Sequence, residues 1–254
     1  MIKAVDIHSH FNHNAVHDTD ANEIYIPTLD IIKKEYDNAG VVAGCFSSFD
    51  SVLSDENVIE ENAYTKKLID NTDWAYQWVV LDPRKKESIE QVDYLLSSNK
   101  SLGIKLHPVC HKYLISEFGE KAFELAKKHK KFVLVHPSDN CSEVELANRY
   151  PDVNLIIAHI GNNDGGSGEL GIINAVKSAK NDNIFTDTSG WASLNNNIIE
   201  YAVDQIGSEK IFFGTDTYAV ASQRGRIEFA RIKDIDKENI LWNNAINKFG
   251  FDIR

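Results

Sequence analysis

No stretch of this 254-residue sequence approaches the roughly 20 uninterrupted apolar residues that a membrane-spanning helix needs. The amino terminus, MIKAVDIHSHF, places Lys, Asp and His where a secretory signal requires a clean apolar run, so export is not expected. Cysteine is scarce and odd in number: Cys45, Cys110 and Cys141 form no CxxC pair. That argues against a zinc knuckle or a disulfide framework and suits reduced thiols in a cytoplasmic protein. Positive charge is short as well, because 27 Lys and Arg against 38 Asp and Glu leave a formal charge of −11. Such a chain repels phosphate backbones, so nucleic acid is not an expected partner. Ser47, Ser48 and Ser189 have no evident neighbouring base and no GxSxG elbow, which leaves serine nucleophilic catalysis without support. No linker, repeat or low-complexity tract divides the chain, and 43% apolar residues can fill a sizeable core. One domain over residues 1–254 is expected.

What the chain does contain is a repeated alternation. Eight short β-rich runs occur at 4–10, 41–48, 74–81, 102–107, 132–137, 154–160, 183–189 and 210–216. Between them lie stretches with apolar residues at helical spacing, such as TLDIIKKEYDNAG, SEFGEKAFELAKKHK and NNIIEYAVDQIG. Thr28 is placed to cap the first of these, and Gly40 stands just past its end. Strand and helix alternating eight times predicts a parallel α/β sheet closed as a single (β/α)₈ TIM barrel, with room for slight distortion. Several runs are apolar on both faces, as a sheet covered by helices requires.

The carboxyl ends of these runs carry the chemistry. Run 1 offers His8 and His10, run 4 Lys105 and His107, run 5 His136, run 6 His159 and run 8 Asp216. Strict alternation along run 1 places Asp6, His8 and His10 on one face, with Val5, Ile7 and Ser9 on the other. In a barrel those strand ends surround one mouth, so five histidines and an aspartate converge there. His13, His17 and His111 fall in loops, and His129 ends a helix. Burying so many polar groups without a common partner costs on the order of 1–3 kcal/mol for each unsatisfied one. A divalent cation removes that penalty by taking nitrogen and oxygen ligands directly.

The chain resembles the amidohydrolase superfamily, in its branch of small metal-dependent hydrolases and decarboxylases of TIM-barrel fold. The likeness runs nearly end to end through DIHSHF, GIKLHP, FVLVHPSD, RYPDVNLIIAHIG, NIFTDTSG, IFFGTDTY and ILWNNAINKFGF. It implies metal ligation by His8, His10, His136 and Asp216, with Asp216 also the proton acceptor. It implies that His159 orients the substrate or ligates a second metal. The expected cation is zinc, with manganese the alternative, and one ion rather than two. Lys105 departs from the Glu of the nuclease branch; a metal-bridging carbamate, a substrate-carboxylate contact and a salt bridge with Asp6 stay open for it. His107 points the same way as Lys105 and is a second candidate for substrate or second-metal contact.

Other residues pull in other directions. GSGELG, Gly166 to Gly171, is a literal GxGxxG, with Asp187 near the distance at which a dinucleotide fold places an acidic residue. Five residues separate it from run 6, however, and it explains none of the preceding strands, so it reads better as a loop shaping the mouth. Trp191 after run 7 is a candidate substrate contact, as are Arg224 and Arg226, whose cations suit a substrate carboxylate. The expected reaction is metal-assisted hydrolysis of a small ester, lactone or amide. Asp6 is a candidate to orient the imidazoles, and His159 to polarise the carbonyl. Non-oxidative decarboxylation of an unsaturated or aromatic acid is the first alternative, and a non-catalytic metal-binding sensor the second. A small molecule is the expected partner, and homo-oligomerisation is left open.

Overall fold

The computed structural model describes residues 2–12, 27–138, 141–163, 168–195 and 197–251. All eight expected strands are present: β1 Ala4–Phe11, β2 Val41–Ser48, β3 Ala75–Val80, β4 Ser101–Leu106, β5 Phe132–Val135, β6 Leu155–Ile157, β7 Ile184–Asp187 and β8 Ile211–Phe212. They form one parallel sheet in the order β1 to β8. Past β8 the chain continues along β1, where Ile7 N–H donates to Phe213 O at 2.9 Å and the N–H groups of Thr215 and Asp216 donate to His8 O at 3.1 and 2.8 Å. These bonds bring the two edges together and make the sheet a (β/α)₈ barrel. Among the described residues no helix is long and apolar enough to cross a membrane.

The apolar side chains sort into an inner and an outer layer. Val5, Ile7, Trp78, Leu134, Ile156, Phe185 and Phe212 fill the barrel, and the carboxyl-terminal segment joins them with Ala245 and Phe251. Phe249 packs its ring on Trp78, Phe132 and Phe212, which plugs the amino-terminal end of the barrel. The buried Trp78 indole donates to Ile7 O, so the one polar atom of that ring is satisfied inside the core. Outside the strands, helix α1 (Leu29–Ala39) buries Leu29, Ile32, Tyr36 and Ala39, the face its spacing foretold. Thr28 does occupy its N-cap position, but the side chain makes no capping bond; Gly40 takes the left-handed conformation at φ 66° that ends the helix.

Strand β1 departs from strict alternation, and the departure aims the site. Ala4 and Phe11 belong to the outer layer, and Asp6 also faces outward, accepting from the Tyr36 hydroxyl of α1 at 2.7 Å. Val5 and Ile7 face the interior. The pairing of β1 with β2 slips between Asp6 and Ser9, so His8 follows Ile7 onto the inner side. An irregularity of this kind bends a strand and re-aims its next side chains. The expectation that Asp6 shares a face with His8 and His10 is therefore corrected.

Candidate active site

The strand ends deliver their side chains to one volume at the barrel mouth. The ligand atoms of His8, His159 and Asp216 all lie within 4.8 Å of one another. His10 Nε2 stands 3.1 Å from Asp216 Oδ1, and His8 Nε2 stands 3.8 Å from the same oxygen. His136 reaches the group through His159, Nδ1 to Nε2 at 3.1 Å, and His107 stacks on His136 with centroids 4.2 Å apart. Lys105 is fully buried with Nζ 2.8 Å from His8 Nε2. His159, expected beside the ligand set, thus sits in its tightest part, while His136 stands one contact further out.

Two residues of β7 and its loop end were missed as parts of the site. Asp187, weighed only as a ribose-binding carboxylate, is buried against His8, with Oδ2 2.8 Å from Nδ1. Ser189 Oγ touches His8 Nδ1 at 3.0 Å and His159 Nδ1 at 2.8 Å, and also bonds Asp187 Oδ1. Ser189 therefore does adjoin imidazoles, contrary to expectation, but it is fully buried, which denies a substrate access to its oxygen. The signal for Asp187 was present: it is an acidic residue at the carboxyl end of run 7, the position that supplied Asp216 in run 8.

Other expected contacts fall elsewhere. Asp6 neither pairs with Lys105 nor touches a ring; it accepts from the His8 and Thr215 N–H groups, the Thr215 hydroxyl and Tyr36. Arg224 is directed away from the mouth, toward the backbone oxygens of Ile2 and Gly40 and the Glu228 carboxylate. Helix α2 (Val220–Glu228) carries it down to the amino-terminal end of β1. Arg226 pairs with Glu200. Neither arginine is a carboxylate clamp at the mouth. Trp191 lies at the rim, 62% exposed and packed on Tyr218 at 5.7 Å. Gly166 and part of its glycine-rich loop, with His13 and His17, lie outside the described residues. His111 is buried, bonding Ser51 O at 3.0 Å.

Backbone strain gathers at the same place. His159 and Asp216 both adopt left-handed φ angles, 68° and 56°, which cost on the order of 1 kcal/mol or more for a residue with a Cβ. The His159 N–H is anchored on Asp187 Oδ1 at 3.0 Å and the Asp216 N–H on His8 O. Gly190, at φ 81°, lies over the ring: a Cβ there would meet His159 Nδ1 at 3.3 Å.

Burial sets the charges. It pushes His159 down to about 4, and it holds His8 and His107 well below the ordinary imidazole value, helped by the neighbouring Lys105 and histidines. Burial likewise lowers Lys105 to about 8. Burial alone would raise Asp216, but His159, the His10 hydrogen bond and the charges of His10 and His8 override it and hold the carboxyl well below its usual range. At neutral pH Asp216 is ionised beside the neutral rings of His8, His107 and His159.

The partners of His8 turn one of its lone pairs toward the centre. Asp187 can only accept, so His8 carries its proton on Nδ1 and presents a bare Nε2. His10 Nδ1 faces the Ser47 carbonyl at 3.3 Å and the Ser47 hydroxyl at 3.0 Å, and its Nε2 stands 3.1 Å from the Asp216 carboxylate, within hydrogen-bond reach. The His8 lone pair, the His159 ring and the Asp216 carboxylate share one small volume. Nitrogen and carboxylate donors of this kind suit a divalent transition metal, so the residues fit one.

An amidohydrolase family model matches residues 5–251 of the chain. The chain belongs to the amidohydrolase family. Its fold is shared with solved members at low identity. 2,6-Dihydroxybenzoate decarboxylase from Rhizobium aligns with a TM-score of 0.75 at 15% identity, covering 99% of this chain and 100% of that one. A dihydroxybenzoic acid decarboxylase from Polaromonas sp. JS666, with bound manganese and 2-nitroresorcinol, gives 0.71 at 14% identity over 98% and 97%. A putative 2-pyrone-4,6-dicarboxylic acid hydrolase from Pseudomonas putida gives 0.72 at 15% identity over 100% of both chains. No curated protein sequence matches at a significant level. For this amidohydrolase the neighbours thus span lyase and hydrolase chemistry on one fold.

The depressed imidazoles predict an acid response of the metal-free protein. An unfolded chain binds a proton on His159 near pH 6.5, while the folded chain refuses it until about pH 4. Stability is therefore lost as pH falls through that window, by on the order of 3 kcal/mol from this residue. Asp6 opposes it: burial raises its carboxyl to about 7, so the fold gains as pH falls from 7 toward 4. Urea titrations at both ends of the window are expected to show a smaller acid loss for His159→Gln than for the parent. An unchanged slope would mean that His159 is not held neutral.

Proposed function

We propose that this amidohydrolase is a metal-dependent hydrolase of a small neutral carbonyl compound, an ester, lactone or amide. The observation that carries the reading is the convergence of His8, His10 and His159 on the Asp216 carboxylate, with ligand atoms of His8, His159 and Asp216 all within 4.8 Å of one another. His8, His10, His159 and Asp216 would hold the ion, zinc or manganese, with His136 adjoining through His159. When bound, such a cation polarises a carbonyl and makes a water acidic enough to react near neutral pH. Asp216 stays ionised and is the proton acceptor, its own conformation held by the His8 carbonyl. Lys105 donates to the lone pair of His8 that a cation would use, so that contact and metal ligation exclude one another.

Hydrolysis is favoured over decarboxylation by the arginines. Arg224 and Arg226 are engaged by backbone oxygens, Glu228 and Glu200 and are not free to grip a substrate carboxylate. A cavity of about 560 Å³ between α1 and α2 is lined by Glu35, Asn38, Trp191, Thr217 and Tyr218; it begins one residue past Asp216, and no site histidine lines it. The test is turnover by metal-replete protein of esters, lactones and amides, alongside unsaturated and aromatic carboxylates, in ¹⁸O-labelled water. Label in the product acid supports hydrolysis. Release of CO₂ with no label in the organic product would replace it with decarboxylation, and no turnover of any compound would favour a metal-binding sensor.

A further inference from the structure

We infer that Asp187 and Ser189 are positioning residues that dictate which ring nitrogen of His8 and of His159 carries the proton, so that on both rings Nε2 is left without hydrogen, able to accept from a neighbour or a cation. The purpose of this arrangement rests on the metal-dependent reaction proposed above, but its content follows from hydrogen-bond polarity alone. The Asp187 carboxylate accepts and cannot donate. Its Oδ2 meets His8 Nδ1 at 2.8 Å, so that nitrogen bears hydrogen. Oδ1 takes the N–H groups of His159 and Ser189, both at 3.0 Å, which fixes the carboxylate in place.

The Ser189 hydroxyl has one proton and three neighbours. Asp187 Oδ1 is the nearest and the charged one, and a charged acceptor makes the stronger bond. With its proton directed there, Ser189 Oγ can only accept from His159 Nδ1 at 2.8 Å and from His8 Nδ1 at 3.0 Å. His159 is therefore the Nδ1–H form, reversing the preference of a free imidazole for hydrogen on Nε2. Its Nε2 faces His136 Nδ1 at 3.1 Å, which must then donate. One buried carboxylate thus sets the direction of a relay through Ser189 and His159 to His136.

The consequence discriminates between roles. A His159 whose Nε2 carries no hydrogen accepts from His136 or, in its place, ligates a cation; it cannot donate a hydrogen bond to a developing oxyanion. Both roles were open from the sequence, and the relay selects the first.

The test is nitrogen NMR of metal-free protein with ¹⁵N-labelled histidine at neutral pH, the rings assigned by single His→Gln variants. In the parent, Nδ1 of His8 and His159 is expected to be pyrrole-like and Nε2 pyridine-like. In Ser189→Ala, His159 should revert to the Nε2–H form while Asp187 keeps His8 unchanged; in Asp187→Asn both should change. Should Asp187→Asn fail to fold, Ser189→Ala carries the test by itself. Manganese affinity, titrated directly, is expected to fall about 10–100-fold in Ser189→Ala. A parent His159 protonated on Nε2, or no change in Ser189→Ala, would overturn the inference. The expected tautomers in a protein that takes up no metal would instead sink the proposed reaction and leave the relay standing.

Discussion

Asp216→Asn is expected to lower kcat/KM by about 10²–10⁴-fold while leaving the barrel intact. The substitution removes the carboxylate that the surrounding histidines hold ionised and that has a proton to receive. It is a mild change for the backbone. Asp216 sits at φ 56°, a conformation Asn tolerates better than most residues, and the N–H bond to His8 O does not involve the side chain. Loss of rate should therefore appear without a matching loss of thermal stability. Metal content should fall less than activity, because His8, His10 and His159 remain. A variant as fast as the parent would remove Asp216 from the reaction; one that no longer folds would show its role to be structural.

Stripping the metal is the second large effect. Protein purified without added metal is expected to contain one equivalent of zinc or manganese by elemental analysis. Dialysis against a chelator should abolish turnover, and readdition should restore it. Stability should move in parallel, since a ligand that binds only the folded state adds about 2.7 kcal/mol at one hundred times its dissociation constant. The structural origin of that term is visible in the mouth: the unprotonated His8 Nε2 stands 3.8 Å from the Asp216 carboxylate, and Lys105 donates to it where a cation would bind. Two equivalents of metal would favour a second site in which Lys105, carboxylated by CO₂ with loss of a proton, is a ligand. Full activity with no metal would overturn the proposal.

The barrel was legible because its signals are local. Each run needs only its own apolar residues and the turn residues beside it to declare a strand, and the eightfold count then leaves little choice of architecture. Thr28 and Gly40 marked the ends of α1 correctly for the same reason. The strand-end rule also located His8, His10, Lys105, His107, His136, His159 and Asp216, since barrel closure brings equivalent positions of distant strands together.

The errors share a different cause. Alternation assumes an unbroken pleat, so the slip in β1 that parts Asp6 from His8 is invisible to it. Arg224 and Arg226 were assigned by proximity in sequence to β8, but where a long side chain on a helix ends depends on which face packs inward. Here that face leads Arg224 to Ile2 and Gly40, at the far end of the barrel. Asp187 and Ser189 were missed as partners of His8 and His159, which lie up to 181 residues away.

What the sequence determined unaided is the set of donors and the cylinder that gathers them, because residue type and periodicity are properties of the chain itself. Which nitrogen each ring turns toward the centre, and which carboxylate holds it there, was decided only in three dimensions. Hydrogen-bond direction is a relation between atoms that folding alone brings within 3 Å.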